Sequence, residues 1–367
     1  MRVTFENATI ADAIAKAARI APTRGEAFDK ASGILMTLDP DEGVVTIKAT
    51  NLHLYYLQVV DAVEVRGEGT WRLNAQLLAG VMGKLPIGSG KTVTMEKNEN
   101  TVNMKSGRTT AKFRLIDTTY YPDWDAFDPE KLEVVPDLGQ RIKQVEWAAM
   151  EDHEVIFAGI HLDGEHIIAT DRIRLVKVPC EAEPIYKPIT IPAGVLKPLM
   201  TGLRDVAVGI DNGNFLMMPD PSTQIRTSIY DRDYPPGVKA TFDRHEWPNK
   251  ISVQKSAFIE IIERAAVFTG NDRSPKLDVI VGKGELAVMC SDAEMGLLGD
   301  VIDVKGADHN RFKMVFTPRN ITDALVAAPS SEVDIYYDTT EAKKPIKIDG
   351  GSGYTALVMP RSQMDAD

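Results

Sequence analysis

The sequence is poor in cysteine: Cys180 and Cys290 are the only two in 367 residues. That is too few for a disulfide framework and suits a reducing compartment. Basic charge is also short, with 42 Lys and Arg against 53 Asp and Glu and a net charge of −11. Such a balance argues against a surface that binds nucleic acid or anionic membrane over its whole extent, while leaving room for a local basic stripe. No apolar run approaches the ~18 residues a membrane span needs. The N-terminal stretch carries Arg2, Glu6, Asp12, Lys16 and Arg19, which denies it the apolar core of a signal peptide. The six histidines form no HExxH and have no partner cysteine pair, so neither a metal site nor a cofactor is expected. These absences imply a soluble, cytoplasmic chain, long enough for two or three domains.

What is present is a repeat. Strand-like apolar runs end in Ala49-Thr50-Asn51, Ala169-Thr170-Asp171 and Cys290-Ser291-Asp292, spaced 120 and 121 residues apart. A second anchor runs a strand into a helix start: Leu73-Asn74-Ala75, Ile191-Pro192-Ala193 and Phe316-Thr317-Pro318. Asn74 reads as an N-cap, and the prolines suit a helix entry where a missing N–H costs nothing. Each unit then closes on Tyr121-Pro122, Tyr234-Pro235 or Met359-Pro360. The period is too long for a solenoid and implies whole domains in tandem, with boundaries at 1–128, 129–246 and 247–367. Each unit reads as an α+β plan, two helices on a strand-rich sheet. Helices are expected at 7–21, 74–84, 137–150, 193–204, 255–267 and 318–327. Pro198 and Gly202 predict that the fourth is short or kinked. Asp163-Gly164 and Gly282-Lys283-Gly284 read as hairpin turns.

Charge is segregated between these elements. The six helical spans together carry +4, leaving −15 for the rest of the chain. A helix-lined face that meets a polyanion, with an acidic exterior elsewhere, would have this signature.

Motifs that resemble catalytic machinery fail on their spacing. Gly88-Ser89-Gly90-Lys91-Thr92 resembles a phosphate-binding loop, but Leu85 stands where the motif requires glycine. Strand-like Val93-Thr94-Met95 follows it, so a hairpin turn is the expectation. The acidic pairs Asp123/Asp125 and Asp231/Asp233 fall in proline-rich segments that read as solvated turns. Neither cysteine has a nucleophile's surroundings in sequence. Catalysis is therefore not expected. A nucleotide-dependent enzyme built on Lys91 is disfavoured, and a structural β-rich assembly subunit without DNA-loading activity remains the alternative.

The tandem units resemble, over essentially the whole chain, the bacterial sliding clamp family, the beta subunit of DNA polymerase III. Ala169-Thr170-Asp171-Arg172-Ile173-Arg174-Leu175 is similar to the family's "ATDGHRL" run, and Leu357-Val358-Met359-Pro360 to its closing "VVMP". Ser106-Gly107-Arg108 and Phe113-Arg114-Leu115 resemble a first-domain segment of the family. The resemblance implies a non-enzymatic processivity factor. Two three-domain chains would close head to tail into a ring around duplex DNA, and polymerase and clamp loader would dock through short peptide motifs. It also implies weak, phosphate-directed contacts from helix cations, for which Lys16, Arg19, Arg24, Lys84, Arg141, Lys143, Lys197 and Arg204 are the candidates.

The family's peptide groove maps onto Thr170, Arg172, Arg174, Leu175, Pro235, Lys239, Leu357, Val358, Met359 and Pro360. Its subunit contact maps onto Leu77, Leu78, Met82 and Met104 against Val267 and Phe268. The sequence departs from the family at Arg172-Ile173, which replace Gly-His, at Lys239-Ala240, which replace Arg-Val, and at Arg361. Val155-Ile156 stand where the family has an adjacent Tyr-Tyr. These departures suggest a divergent or phage-encoded clamp serving its own polymerase.

Overall fold

The computed structural model describes residues 1–25, 27–151, 155–180, 187–196, 203–269, 275–292 and 296–361. Lys197, Pro198 and Gly202 lie outside them, so the expectations for those residues have no structural counterpart.

The first third of the chain runs β1 (Arg2–Glu6), α1 (Asn7–Ile20), the short α2 (Phe28–Ala31), β2 (Ile34–Asp39), β3 (Val44–Thr50), β4 (Leu54–Asp61), β5 (Glu64–Arg66), β6 (Gly69–Leu73), α3 (Ala75–Met82), β7 (Thr92–Asn98), β8 (Thr101–Ser106) and β9 (Thr109–Arg114). The middle third repeats this order as β10 (Glu133–Val135), α4 (Leu138–Val145), β11 (Gly159–Leu162), β12 (His166–Thr170), β13 (Arg174–Pro179), β14 (Ile189–Pro192), α5 (Ala193–Leu196), β15 (Val206–Asp211), β16 (Asn214–Asp220), β17 (Thr223–Ser228) and then α6 (Gly237–Arg244). The last third follows suit: β18 (Asn249–Gln254), α7 (Lys255–Ala266), β19 (Leu277–Gly282), β20 (Glu285–Asp292), β21 (Gly296–Asp303), β22 (Phe312–Phe316), α8 (Pro318–Ala327), β23 (Glu332–Tyr337), β24 (Ile346–Gly351) and β25 (Tyr354–Val358).

Two compact units emerge, and the middle third is divided between them: Met1–Gly139 with Gly194–Ile229, and Gln140–Ala193 with Tyr230–Asp367. The first unit holds the sheets β5-β1-β7-β8-β9 and β10-β15-β16-β17-β4-β3-β2-β6. The second holds β14-β11-β12-β13-β25-β24-β23-β18 and β21-β20-β19-β22. Each eight-stranded sheet is thus two four-stranded halves from successive thirds, joined antiparallel at β17–β4 in one unit and at β13–β25 in the other.

The repeat is physical as well as topological. In the turn between β3 and β4, the Thr50 hydroxyl donates to the Leu54 carbonyl at 2.7 Å and accepts from Leu52 N–H, while Asn51 Oδ1 accepts from the His53 and Leu54 N–H groups. Thr170 and Asp171 make the same set between β12 and β13, with Thr170 Oγ1 to the Arg174 carbonyl at 2.6 Å and Asp171 Oδ1 accepting from Ile173 and Arg174 N–H. Short polar side chains that mimic backbone turns are what this geometry needs. Both turns also force a left-handed residue, Leu52 at φ 73° and Arg172 at φ 75°.

The helices form for the reasons legible in sequence. Ile10, Ala13, Ile14, Ala17 and Ala18 give α1 one buried face. Asn74 Oδ1 caps α3 by accepting from Leu77 N–H at 2.9 Å. Pro318 opens α8 at its first turn. Gln76 of α3 donates to the Ala18 carbonyl of α1 at 2.8 Å, tying the two helices side by side. The strand-like Val93-Thr94-Met95 lies in β7 and pairs with β8, with Met95 opposite Met104.

One local expectation needs correction. Gly88-Ser89-Gly90-Lys91 does turn, with Lys91 N–H donating to the Gly88 carbonyl at 3.1 Å, but it joins α3 to β7 and not two strands. Asp231 and Asp233 lie in an exposed irregular segment, as expected, and Gly237–Arg244 beyond them forms α6, with buried Phe242 facing the second unit's sheet.

Candidate functional site

A groove of about 190 Å3 opens in the second unit, lined by Phe157, Thr170, Arg172, Ile173, Arg174, Leu175, Val238, Thr241, His245, Pro345, Leu357 and Met359. Its floor is the β13–β25 junction, where Leu175 and Leu357 sit directly opposite each other and are buried. These two pack with Ile168 and Phe242, and against Tyr234, Val238 and Trp247. One wall is α6. Its Val238, Thr241 and Phe242 fall at helical spacing, so one face turns toward the sheet. Another wall is anchored by Trp247, whose indole N–H donates to the Pro345 carbonyl at 2.7 Å. The rim keeps two large apolar groups in solvent, Ile173 at 52% and Met359 at 37% exposed, joined by a hydrogen bond from Met359 N–H to the Ile173 carbonyl. An apolar cavity with a few directed polar groups suits a small side chain presented by a partner.

The polar edge of the groove is organised by Arg174. Its Nε donates to Asp171 at 2.8 Å and its Nη1 to Asp323 at 2.9 Å, while the guanidinium lies over the Trp147 ring at 5.4 Å. Arg172 lies over Phe157 at 4.9 Å. Phe157 meets Tyr234 edge-on, and Tyr234 stacks flat on His161 with ring centroids 4.2 Å apart. Burial lowers the His161 imidazole below its ordinary range, which suits a neutral stacking partner, and burial raises the Tyr234 phenol.

Six of the ten residues expected at the groove line it: Thr170, Arg172, Arg174, Leu175, Leu357 and Met359. The other four do not. Lys239 is held by Asp163 at 2.6 Å and Glu165 at 3.4 Å, at the turn between β11 and β12. Pro235 lies just before α6, its carbonyl accepting from Val238 N–H. Val358 and Pro360 are buried, alternating along the strand away from Leu357 and Met359. The sequence reading misses Phe157, Ile173, Val238, Thr241, His245 and Pro345. For α6 a signal existed, since Val238, Thr241, Phe242 and His245 fall at i, i+3, i+4 and i+7 behind two prolines.

The expected DNA-facing cations are distributed over both units. In the first, Arg19 and Arg24 border one depression between α1, α3 and the turn after β3, and Lys84 and Arg204 are exposed. Lys16 pairs with Asp12 at 2.8 Å and Arg204 with Asp137 at 3.5 Å. In the second, Lys143 of α4 is exposed and Arg141 reaches the Ser352 carbonyl at 3.5 Å.

The expected subunit contact needs a correction. Leu78, Met82 and Met104 are at most 1% exposed and belong to the first unit's own core, so their side chains offer a partner no surface. Leu77 at 55% and Val267 at 74% are exposed, and Phe268 is half-buried.

Among the described residues no group of three or more His, Cys, Asp or Glu could hold a metal ion, and no helix is long and apolar enough to cross a membrane.

The chain matches no described protein-family profile. It is 22% identical over 314 residues to the beta sliding clamps of Staphylococcus aureus and Staphylococcus epidermidis, covering 82% of each chain. In structure it is similar to the DNA polymerase III beta subunit of Thermotoga maritima, with a TM-score of 0.81 at 17% identity over 98% of this chain and 99% of that one. The sliding clamp of Bacillus subtilis matches with a TM-score of 0.79 at 17% identity, over 99% of both chains. A Helicobacter pylori beta clamp bound to a DNA ligase peptide matches at 0.78 and 15% identity, over 99% of this chain and all of that one. The fold is that of the DNA polymerase III beta clamp, three domains of mixed α+β structure. The resemblance to the bacterial sliding clamps read from the sequence is borne out.

Proposed function

We propose that the protein is a DNA polymerase processivity factor. It is a non-enzymatic clamp whose two copies close head to tail around duplex DNA and hold replication proteins through the groove on β13 and β25. The observation that carries this reading is a pair of free sheet edges. Within the chain the last strand of the second third, β17, pairs with β4 of the first, and the last strand of the final third, β25, pairs with β13 of the second. Among the described residues, the same rule leaves β21 of the final third without a partner strand on its outer side, and β9, the last strand of the first third, likewise.

A second copy supplies what each edge lacks, since strand addition satisfies unpaired backbone groups. Two such junctions close the assembly as a dimer of six repeats, divided at 1–128, 129–246 and 247–367. Charge supports the match: β9 carries Lys112 and Arg114, and β21 carries Asp300 and Asp303. In this reading Leu77 and Val267 flank the junction. The helix cations Lys16, Arg19, Arg24, Lys84, Arg141, Lys143, Lys197 and Arg204 make phosphate-directed, salt-sensitive contacts that permit sliding. Such a clamp works in the cytoplasm beside the polymerase and loader that it serves.

The test is retention on DNA. Loaded by its own replication system's clamp loader, the protein should stay with nicked circular plasmid through gel filtration and leave when the plasmid is cut once. Equal retention on circular and linear DNA, or a solution mass that is never twice that of the chain, would overturn the reading.

A further inference from the structure

The groove stands out in a chain of net charge −11 because its lining contains Arg172, Arg174 and His245 and no aspartate or glutamate. Cations are also laid over the aromatic groups around it. Arg172 covers Phe157 at 4.9 Å, Lys177 covers Phe242 at 4.5 Å, and Lys347 lies 5.0 Å from the Trp247 ring centroid and 4.1 Å from that of Tyr336. The strand register puts these groups on one face with the apolar floor: Leu175 pairs with Leu357, which pairs with Lys347, and Lys177 follows Leu175 by two residues.

Arg174 is already neutralised by Asp171 and Asp323. For Arg172, Lys177 and Lys347 no carboxylate lies within ion-pair distance among the described residues, and Arg172 is exposed at the rim. A guanidinium that lies over a ring and is exposed to solvent can still offer N–H groups to a carboxylate. The left-handed backbone at Arg172 is a property of the turn, because Leu52 shares it. What distinguishes this position is a long cation set against the groove.

We propose that the groove selects a peptide whose apolar anchor is flanked by aspartate or glutamate, and that Arg172 is the specificity-determining residue. This rests on the groove reading above and names the chemistry of its occupant. The anchor fills the cavity over Leu175 and Leu357, the acidic side chain meets the N–H groups of Arg172, and Lys177 and Lys347 supply the surrounding positive potential.

Fluorescence anisotropy of the full-length protein with two fluorescein-labelled peptides, Gly-Asp-Asp-Leu-Phe-Gly and Gly-Asn-Asn-Leu-Phe-Gly, tests it. The acidic peptide should bind about fivefold tighter or more, as a rim-exposed charge pair allows. The advantage should vanish in Arg172→Gln, which keeps a long side chain at the left-handed position, so that the two peptides then bind it with equal affinity. Met359→Ala should weaken both peptides alike. Equal binding of the two peptides to the wild type, or an acidic preference that survives Arg172→Gln, overturns the inference and leaves the groove standing. Binding of neither, or binding indifferent to Met359→Ala, overturns the groove reading and the inference with it.

Discussion

Arg174→Ala is the sharpest perturbation of the site. The wild-type guanidinium serves two carboxylates at once, Asp171 at 2.8 Å and Asp323 at 2.9 Å. Its side chain is 12% exposed, and those of the two aspartates are 16% and 27% exposed. Removing one partner of a buried pair costs about 3–5 kcal/mol, because the other charge stays buried without compensation. Here Asp171 keeps its backbone donors from Ile173 and Arg174, and Asp323 keeps Arg319 at 3.4 Å, itself 72% exposed. Partial exposure and these residual contacts reduce the expected loss to about 2–3 kcal/mol.

In a unit of this size that loss lowers the melting temperature by roughly 5–10 °C. Arg174→Lys should recover little, since one ammonium cannot reproduce two directed N–H contacts. Adding Asp323→Asn to Arg174→Ala should recover part of the loss by removing the stranded charge. Urea denaturation of the wild type, Arg174→Ala, Asp323→Asn and the double mutant measures this as a double-mutant cycle. A loss below about 0.5 kcal/mol for Arg174→Ala, or strictly additive effects, would refute the argument that the guanidinium is what holds the two carboxylates.

Three further outcomes follow from the structure. Asp338 accepts hydrogen bonds from the Thr340 hydroxyl, the Lys344 ammonium and the Thr340 backbone N–H, which hold its carboxyl down at about 2. A carboxylate depressed on folding contributes stability that is present above its unfolded value and lost as pH falls through the folded one. Asp338→Asn should therefore melt below the wild type at neutral pH, with the gap closing between about pH 4 and pH 2; a gap independent of pH would contradict this. Asn74→Ala removes the α3 cap and should cost about 1 kcal/mol in chemical denaturation. Reversing Lys112 and Arg114 of β9 to glutamate should raise the dimer dissociation constant about tenfold at low salt, with the difference shrinking as salt is added; sedimentation reads both.

The sequence by itself determined the threefold repeat, the helix starts and the main hairpins, because each depends on neighbours a few residues apart. The Thr50-Asn51 and Thr170-Asp171 turns close on their own backbones. Asn74 needs only Leu77 N–H, and the α1 stripe needs only its own periodicity. Six of the residues that the resemblance implied line one cavity. Three kinds of outcome required the tertiary structure.

The first is which repeat shares a sheet with which, since β4 meets β17 and β13 meets β25 across more than 160 residues of chain. The second is which apolar residues are spent on the core. Leu77 and Leu78 are adjacent and equally apolar, yet one is 55% exposed and the other fully buried. The third is the far wall of the groove and its charge. Val238 and Thr241 join Leu357 in the groove only when α6 folds over the sheet, Pro345 joins it from just before β24, and Arg172 lies over Phe157 from a turn that holds it left-handed. Burial and long-range contact belong to the folded chain as a whole, so local pattern could propose these residues but not assign them their partners.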